Sequence, residues 1–547
     1  MDLSNNWLCG PLNSNSSLFS FSHLQKLNFA LNNFTFSTIP SEFGQLVRLT
    51  HLNLSRSFLH SQISSEISWL SNLVSLDLSH NDFLYPVGRV YYENLLDLRR
   101  IDLEALVQNM TYLRELHLDD VNISSSLPQS LANLSSLTSL SLSWCYLQGK
   151  FPSDIFLLPK IQAIDLSFNQ DLVGFLPKFR SPSSLKELRL LDTNFSGEFP
   201  NSMDNLGSLN VLDLFETNLF RELPNSISNL KSLNYLDLSS SNFLGAIPPS
   251  IGNLSQFTHL SLSYNNFHGQ LPSILGNLKS LNYLDLASSN FSGAIPSFIG
   301  NLSQLTYLSL SYNNFHGQLP SMVGKLAKLT YLRLENILYH QEVPSFLGNL
   351  TQLEELSLSQ NNFDCGFPIW LTNITKLSLI DFWGNQLKGK IPSEISRLPN
   401  LSNLDLSQNS LTEVIPSILF TTPSLFSLFL EHNQLIVALK FQNISLSPLY
   451  YLGLSENKMN ELMPRSIVNF TKLQLLRLSS INIQGMVELN NFFKLKELRF
   501  LDLSGNKVFV SKANISSTLP KFSNLLLSSC NLSMLGSKDL GFMYLEL

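Results

Sequence analysis

Leu305 to Pro320 reads LTYLSLSYNNFHGQLP, and this stretch decides the fold. Leucines fall at Leu305, Leu308 and Leu310, an asparagine at Asn313, a phenylalanine at Phe315, a glycine at Gly317 and a proline at Pro320. The same phase returns at Leu329, Leu353, Leu377, Leu401, Leu425, Leu449 and Leu473, and runs back to Leu137. The step is about 24 residues, a period typical of arrays in which each unit covers its neighbour's apolar face. Lys231–Leu278 and Lys279–Leu326 are near copies displaced by about two such steps, so the array grew by duplicating a two-repeat block. His259 in the first copy becomes Tyr307 in the second, a change at an outward strand position.

The chemistry of one unit explains its letters. LxxLxL is a short strand whose leucines point into the core between coils, while the residues between them point outward. The asparagine follows where the chain turns, and its amide can both donate to and accept from turn backbone that has no sheet partner. Each such group left unpaired costs roughly 1–3 kcal/mol. This predicts a structural ladder of Asn81, Asn169, Asn265, Asn313, Asn361, Asn385, Asn409, Asn433, Asn457 and Asn506. Phe315 fills the space under the turn, and Pro320, with no N–H to donate, belongs outside the main sheet. The expected fold is an α/β leucine-rich-repeat solenoid, one array over 1–547.

Composition narrows the function. A formal charge of −6 with 14% charged residues leaves no basic footprint for nucleic acid. No apolar run reaches the roughly 18 residues of a spanning helix, and MDLSNNWLCG has neither the basic nor the apolar part of a leader. Leu3, Asn6, Leu8 and Gly10 match the second half of a repeat, and Phe542, Leu545 and Leu547 the first half of another. The array is therefore expected to be truncated at both ends. Cys145 and Cys530 stand at ladder positions, Cys365 in a turn and Cys9 in the first turn; buried structural thiols are expected, with no disulfide framework and no zinc motif. Leu24, Leu49 and Leu73 open early repeats, with Ser57 where asparagine is usual. Residues 84–112 break the rhythm: Leu98, Ile101 and Leu103 read as a strand, yet the next repeat opens at Leu113, so a degenerate repeat or a protruding loop is expected.

NFSGAIPSFIGNL, Asn290 to Leu302, resembles the plant-specific extracellular class of leucine-rich repeat. LVQNMTYLRELHLDDVNIS (Leu106 to Ser124) and SLFSFSHLQKLNFALNNF (Ser17 to Phe34) are similar to receptor-like proteins of the tomato leaf-mould and apple-scab resistance type. The resemblance implies a right-handed superhelix with a concave parallel sheet, placement at the plasma membrane on the extracellular face, a protein or peptide ligand, and signalling through a co-receptor or adaptor kinase in defence. The family's paired-cysteine caps, island loop, acidic juxtamembrane segment and membrane span are not found in these 547 residues. A secreted enzyme inhibitor of the polygalacturonase-inhibiting type and a non-functional gene fragment are the other readings. Roughly seventeen N-x-[ST] sites occur, against on the order of ten by chance in so Asn- and Ser-rich a chain. They include Asn33, Asn53, Asn122, Asn194, Asn253, Asn301, Asn349, Asn373, Asn443, Asn469 and Asn514.

No enzyme chemistry emerges: HExxH, GxSxG and clustered histidines are all missing, and no catalytic residue, metal ligand or cofactor is expected. GNQLKGK, Gly384 to Lys390, imitates a phosphate loop, but Ile391 stands where Ser or Thr should hold magnesium, and the segment is in register with the repeat turn. Binding is the stronger expectation, because outward strand positions need not serve the core. Tyr235, His259, Tyr283, Tyr307 and Tyr331 form one column just after the first strand leucine. Trp144, Phe168, Tyr264 and Tyr312 form another just before the ladder residue. Trp383, Phe426 and Phe429 lie later, near Arg333, Glu335, Glu355 and Glu431. Aromatics and arginine dominate interface energies, although a tyrosine column can also stack on itself as framework.

Overall fold

The computed structural model describes residues 1–35, 37–81, 96–180, 183–337, 342–436, 447–458, 463, 465–481, 492, 494–506 and 522–530. The chain divides into two units, Met1–Leu281 and Asn282–Leu547. Each is a leucine-rich-repeat solenoid, and each carries a parallel ladder of three-residue strands, one per repeat. In the first, Lys26–Asn28 pairs with His51–Asn53 and so on to Tyr235–Asp237 with His259–Ser261. In the second, the ladder runs from Tyr283–Asp285 to Asn524–Leu526.

One repeat shows the logic. Tyr307, Leu308 and Ser309 face Tyr331, Leu332 and Arg333 in register. Leu305, Leu308 and Leu310 are fully buried, while Tyr307 is half-buried on the other face. Burying one leucine stabilises by roughly 2 kcal/mol, and every repeat brings three. The chain then turns. Asn313 enters the core and its Nδ2 donates to the carbonyls of Leu286 (2.7 Å), Leu310 (3.0 Å) and Ser311 (3.1 Å). Its Oδ1 accepts from the N–H of Ser289 (3.2 Å) and Phe291 (3.0 Å). One amide thus serves five backbone groups on two coils. Where asparagine is missing, smaller donors stand in: Ser57 Oγ donates to Phe29 O at 2.8 Å, Cys145 Sγ to Leu118 O at 3.0 Å and Cys530 Sγ to Leu503 O at 3.3 Å.

After the turn the NFxG segment adds short parallel pairs of its own. Within the first unit six strands from Gly149–Lys150 to Asn266–Phe267 form a second sheet. Phe195, Phe199, Phe243 and Phe267 are fully buried. The repeat proline then sits at the N-cap of a five-residue 3-10 turn, as Pro320 does for Ser321–Lys325. The helical half of the repeat is therefore 3-10 and not α. The GNL glycine lies in this turn because neighbouring turns pack closely: a Cβ at Gly300 would collide with the carbonyl of Met322.

Within the interruption, one element differs from expectation. Ser75 pairs directly with Glu115, so neighbouring strands are 40 residues apart, as are His80 and Asp120 beyond them. Leu96–Asp97 pairs with Ser61–Gln62 on the second-sheet side. Ile101 and Leu103, read above as strand, belong to an α-helix, Arg100–Asn109. Its buried Leu103, Leu106 and Val107 recur at helical spacing, which a strand reading of three apolar residues overlooks. Residues 84–95 of the interruption lie outside the described residues.

Asn313→Ala removes five backbone partners at once and is expected to cost about 2–4 kcal/mol, with hydrogen-exchange protection falling at Ser289 and Phe291. Asn314→Ala, one residue on and exposed, should leave both unchanged.

Candidate functional site

Because each strand turns its central residue into the core, its two flanking side chains face the opposite side of the sheet. Backbone register then decides which of them touch. In the first unit Tyr235 and His259 are register partners, and their rings stack at 4.1 Å with 10° between planes. The Arg189 guanidinium lies 5.8 Å from the centre of the Tyr235 ring and 3.7 Å from the Asp213 carboxylate. His259 Nε2 is 3.9 Å from Asp237 Oδ2. In the second unit Tyr283 and Tyr307 stack at 4.3 Å, and Tyr331 lies tilted at 6.1 Å from Tyr307. Aromatic contacts of this kind add about 0.5–1.5 kcal/mol each beyond burial, so this column contributes to the frame as well as to the surface.

Trp144, Phe168, Tyr264 and Tyr312 do not lie on the strands. They occupy the turn beyond, with φ of 57°, 60°, 54° and 54°, in the left-handed region. Bulky side chains are rare there. Trp144 and Phe168 nonetheless stack at 4.1 Å, and Tyr264 and Tyr312 are 59% and 41% exposed. Gly384, the first residue of the phosphate-loop imitation, occupies the same turn position at φ 69°. The rest of that motif is the ladder residue Asn385 and the short strand Lys388–Gly389, with no helix N-terminus to hold a phosphate.

Two neighbouring cavities occur among the later candidates. One, of about 330 Å³, is lined by Arg333, Glu335, Glu355, Asp381 and Phe429. The other, of about 390 Å³, is lined by Trp383, Phe429, Glu431, His432 and Arg477. Both share Asp405. Arg333 Nη2 is 3.4 Å from Glu355 Oε2, and Ser311 Oγ donates to Glu335 Oε2. Phe426 precedes its strand and stacks on Tyr450 at 4.5 Å.

The column overlooked in the sequence is acidic. Asp165, Asp213, Asp237, Asp381 and Asp405 stand at the third strand position, directly after the buried central Leu or Ile. Each caps the strand exit by accepting from the N–H two residues on: Asp405 Oδ1 from Ser407 at 2.9 Å, Asp381 Oδ1 from Trp383 at 3.0 Å. Burial pushes their carboxyls up at Asp165, Asp213 and Asp405. Asp213 goes furthest, to about 6, through burial first and then the charge of Asp237. Burial and the same two carboxylates push the Tyr235 phenol up.

Of the sequon asparagines, Asn253, Asn301, Asn349, Asn373 and Asn469 share one exposed position at the end of the 3-10 turn. Asn33 and Asn194 are also exposed. Asn53 lies on the strand face with Nδ2 donating to Asp77 at 3.0 Å, and Asn122 Nδ2 donates to Asp97 at 2.6 Å, so both amides are engaged. Asn443 and Asn514 lie outside the described residues.

Asp213 supplies a pH test. Its folded carboxyl is raised above the unfolded 3.8 to about 6, so its contribution to stability is whole below 3.8 and is lost as pH rises through about 6. The loss is on the order of 3 kcal/mol. Asp213→Asn is expected to raise the melting temperature by a few degrees near pH 7.5 and to leave it unchanged near pH 3.5.

The geometry offers aromatic faces and charged pockets, a set suited to holding a partner. Known proteins agree with the frame. The family described as Leucine-rich repeat region matches residues 201–295 and 273–383, and Leucine Rich Repeat matches 136–158 and 400–421. Receptor-like protein 6 of Arabidopsis thaliana is 44% identical over 209 residues, covering 38% of this chain and 20% of that protein. Receptor-like protein Cf-9 of Solanum pimpinellifolium is 36% identical over 211 residues, 38% of this chain and 23% of that protein. The matched stretch thus spans about a fifth of the length of these relatives. Among solved structures, the Arabidopsis receptor kinase HAESA with the peptide hormone IDA and the co-receptor SERK1 superposes with a TM-score of 0.70 at 29% identity, covering 93% of this chain and 86% of that one. The repeats of this chain are similar to those of plant receptor-like proteins, Cf-9 among them.

Proposed function

We propose that this chain recognises a peptide or protein ligand on the outward face of its strand ladders, outside the cell, as the ectodomain of a receptor-like protein. One observation carries the reading. Stacked aromatics and paired charges occupy consecutive outward positions that the core does not use: Tyr283, Tyr307 and Tyr331, then Arg333 with Glu355, then Trp383 and Phe429 beside the two cavities. The likeness to a receptor ectodomain that holds a peptide hormone supports it. Output to a co-receptor kinase and a pathogen-derived elicitor as ligand belong to the same proposal; they rest on the resemblance to receptor-like proteins, and the solved HAESA complex holds a co-receptor. Glycans at Asn253 in the first unit, and at Asn301, Asn349, Asn373 and Asn469 in the second, sit on the 3-10 turns and leave the strand faces clear.

Peptides selected from a displayed random library against the whole chain test this. Trp383→Ala is expected to weaken the selected peptides at least tenfold, the scale of an interface hot spot at about 2 kcal/mol, with little change in melting. Tyr307→Ala should weaken binding and cost about 1 kcal/mol of stability through its lost stack. Peptides indifferent to both substitutions, or a stability loss at Tyr307 equal to that of Asn313→Ala, would move the binding surface off the strand face.

A further inference from the structure

Glu431 stands at a repeat position that reads serine at Ser359, Ser407 and Ser455. The second unit has another glutamate there, Glu335, and the difference between the two is informative. Ser311 donates its hydroxyl to Glu335. Glu431 gets no such donor from its flanking serines: Ser407 Oγ donates to Asp405, and Ser455 Oγ accepts from the N–H of Ser479 at 3.0 Å. Oε1 of Glu431 faces Arg477 Nη1 at 3.6 Å, beyond hydrogen-bond distance. Oε2 has no hydrogen-bond partner among the described residues, and its residue is only 7% exposed. A lone buried carboxylate oxygen costs the fold stability.

The surroundings say what would satisfy it. The carboxylate lies across Gly453, where any side chain would collide with it. It lines the cavity of about 390 Å³ whose apolar walls are Trp383 and Phe429. Asp405, Glu456 and Asp502 add three carboxylates to this cavity, against Arg477 and His432. His432 Nδ1 is already 2.8 Å from Glu456 Oε2. Negative charge is in surplus, and aromatic faces attract cations. Among the described residues no group of His, Cys, Asp and Glu is disposed to hold a metal ion, which favours an organic cation.

We infer that this cavity is a subsite for an arginine side chain of the ligand, with the guanidinium on Glu431 and its flat face against the aromatic walls. The inference rests on the peptide-recognition reading for its ligand and on the pocket for its chemistry. A planar fork suits a carboxylate and a ring together better than an ammonium does. A turn about the last side-chain bond, which is soft, brings Oε2 toward the incoming group. Burial first, and then the charge of Asp405, pushes the Glu431 carboxyl up, as expected for a group waiting for a counter-charge.

Ligand-observed NMR titration of the whole chain with argininamide, lysinamide and citrullinamide tests the subsite without knowledge of the natural ligand. Saturable argininamide binding is expected, weaker lysinamide binding, and none for citrullinamide, which keeps the α-amino group but has a neutral side chain. Glu431→Gln should weaken argininamide about tenfold. If that variant loses its cooperative melt, Glu456→Gln at the exposed rim is read instead, with about a threefold loss expected. No saturable binding up to about 20 mM, equal citrullinamide binding, or unchanged affinity in the variant that is read overturns the inference. Argininamide binding that survives when library peptides ignore Trp383 keeps the subsite and sinks the ligand reading; the converse sinks the subsite alone.

Discussion

The structure depends on how each coil pairs the backbone of its turn. Between the strand ladder and the 3-10 turn the chain doubles back through the core, where carbonyls and N–H groups have no sheet partner and no water. The asparagine amide answers this with donors and an acceptor in one short side chain: Asn409 Nδ2 reaches Phe382, Leu406 and Ser407, and its Oδ1 takes Leu387 N–H at 2.9 Å. The bonds run between coils, so the ladder also sets the register of one repeat on the next. Serine, threonine and cysteine substitute as donors, as Thr193 does for Leu190 O at 2.6 Å. With the turn held from within, the outward side chains carry less of the structural duty and can differ between copies, as His259 and Tyr307 do.

The same turn carries the local strain. The residue just before each ladder position adopts a left-handed backbone, and L-residues pay roughly 1–2 kcal/mol for it. Asn336, Gln360 and Gln408 sit there, but so do Trp144, Phe168, Tyr264 and Tyr312. The frame imposes this conformation at nearly every repeat whatever the side chain, so it holds these aromatics too, with Tyr264 and Tyr312 exposed.

Electrostatics adds a second layer. Aspartates between strand leucines cap the exit of the strand, which is why they recur. Stacked at the repeat spacing and largely buried, they also raise one another's carboxyls, as Asp237 does for Asp213. Arg189 relieves this locally at Asp213. Among the described residues, Glu431 is the buried carboxylate with an oxygen left unmatched. The frame is apolar and indifferent to charge, whereas the face it presents is tuned by it.

The period of the leucines, the inward turn of Asn313 and the outward turn of Tyr235 and Tyr307 were legible in the letters, because a strand alternates its side chains and a repeat must bury its leucines against copies of itself. The helix at Arg100–Asn109 was not, since three apolar residues fit both periods until burial chooses between them. Nor was the second sheet after each turn, whose pairs form only when coils stack. The left-handed setting of Trp144 and Tyr312 follows from where the ladder residue must go, and no propensity of tryptophan or tyrosine announces it. The sequence by itself determined the fold, the outward face of the strands and the residue types on it. Only the tertiary structure decided that Ser311 donates to Glu335 while Oε2 of Glu431 has no hydrogen-bond partner among the described residues, because the partners of an outward side chain belong to neighbouring coils and depend on register between them.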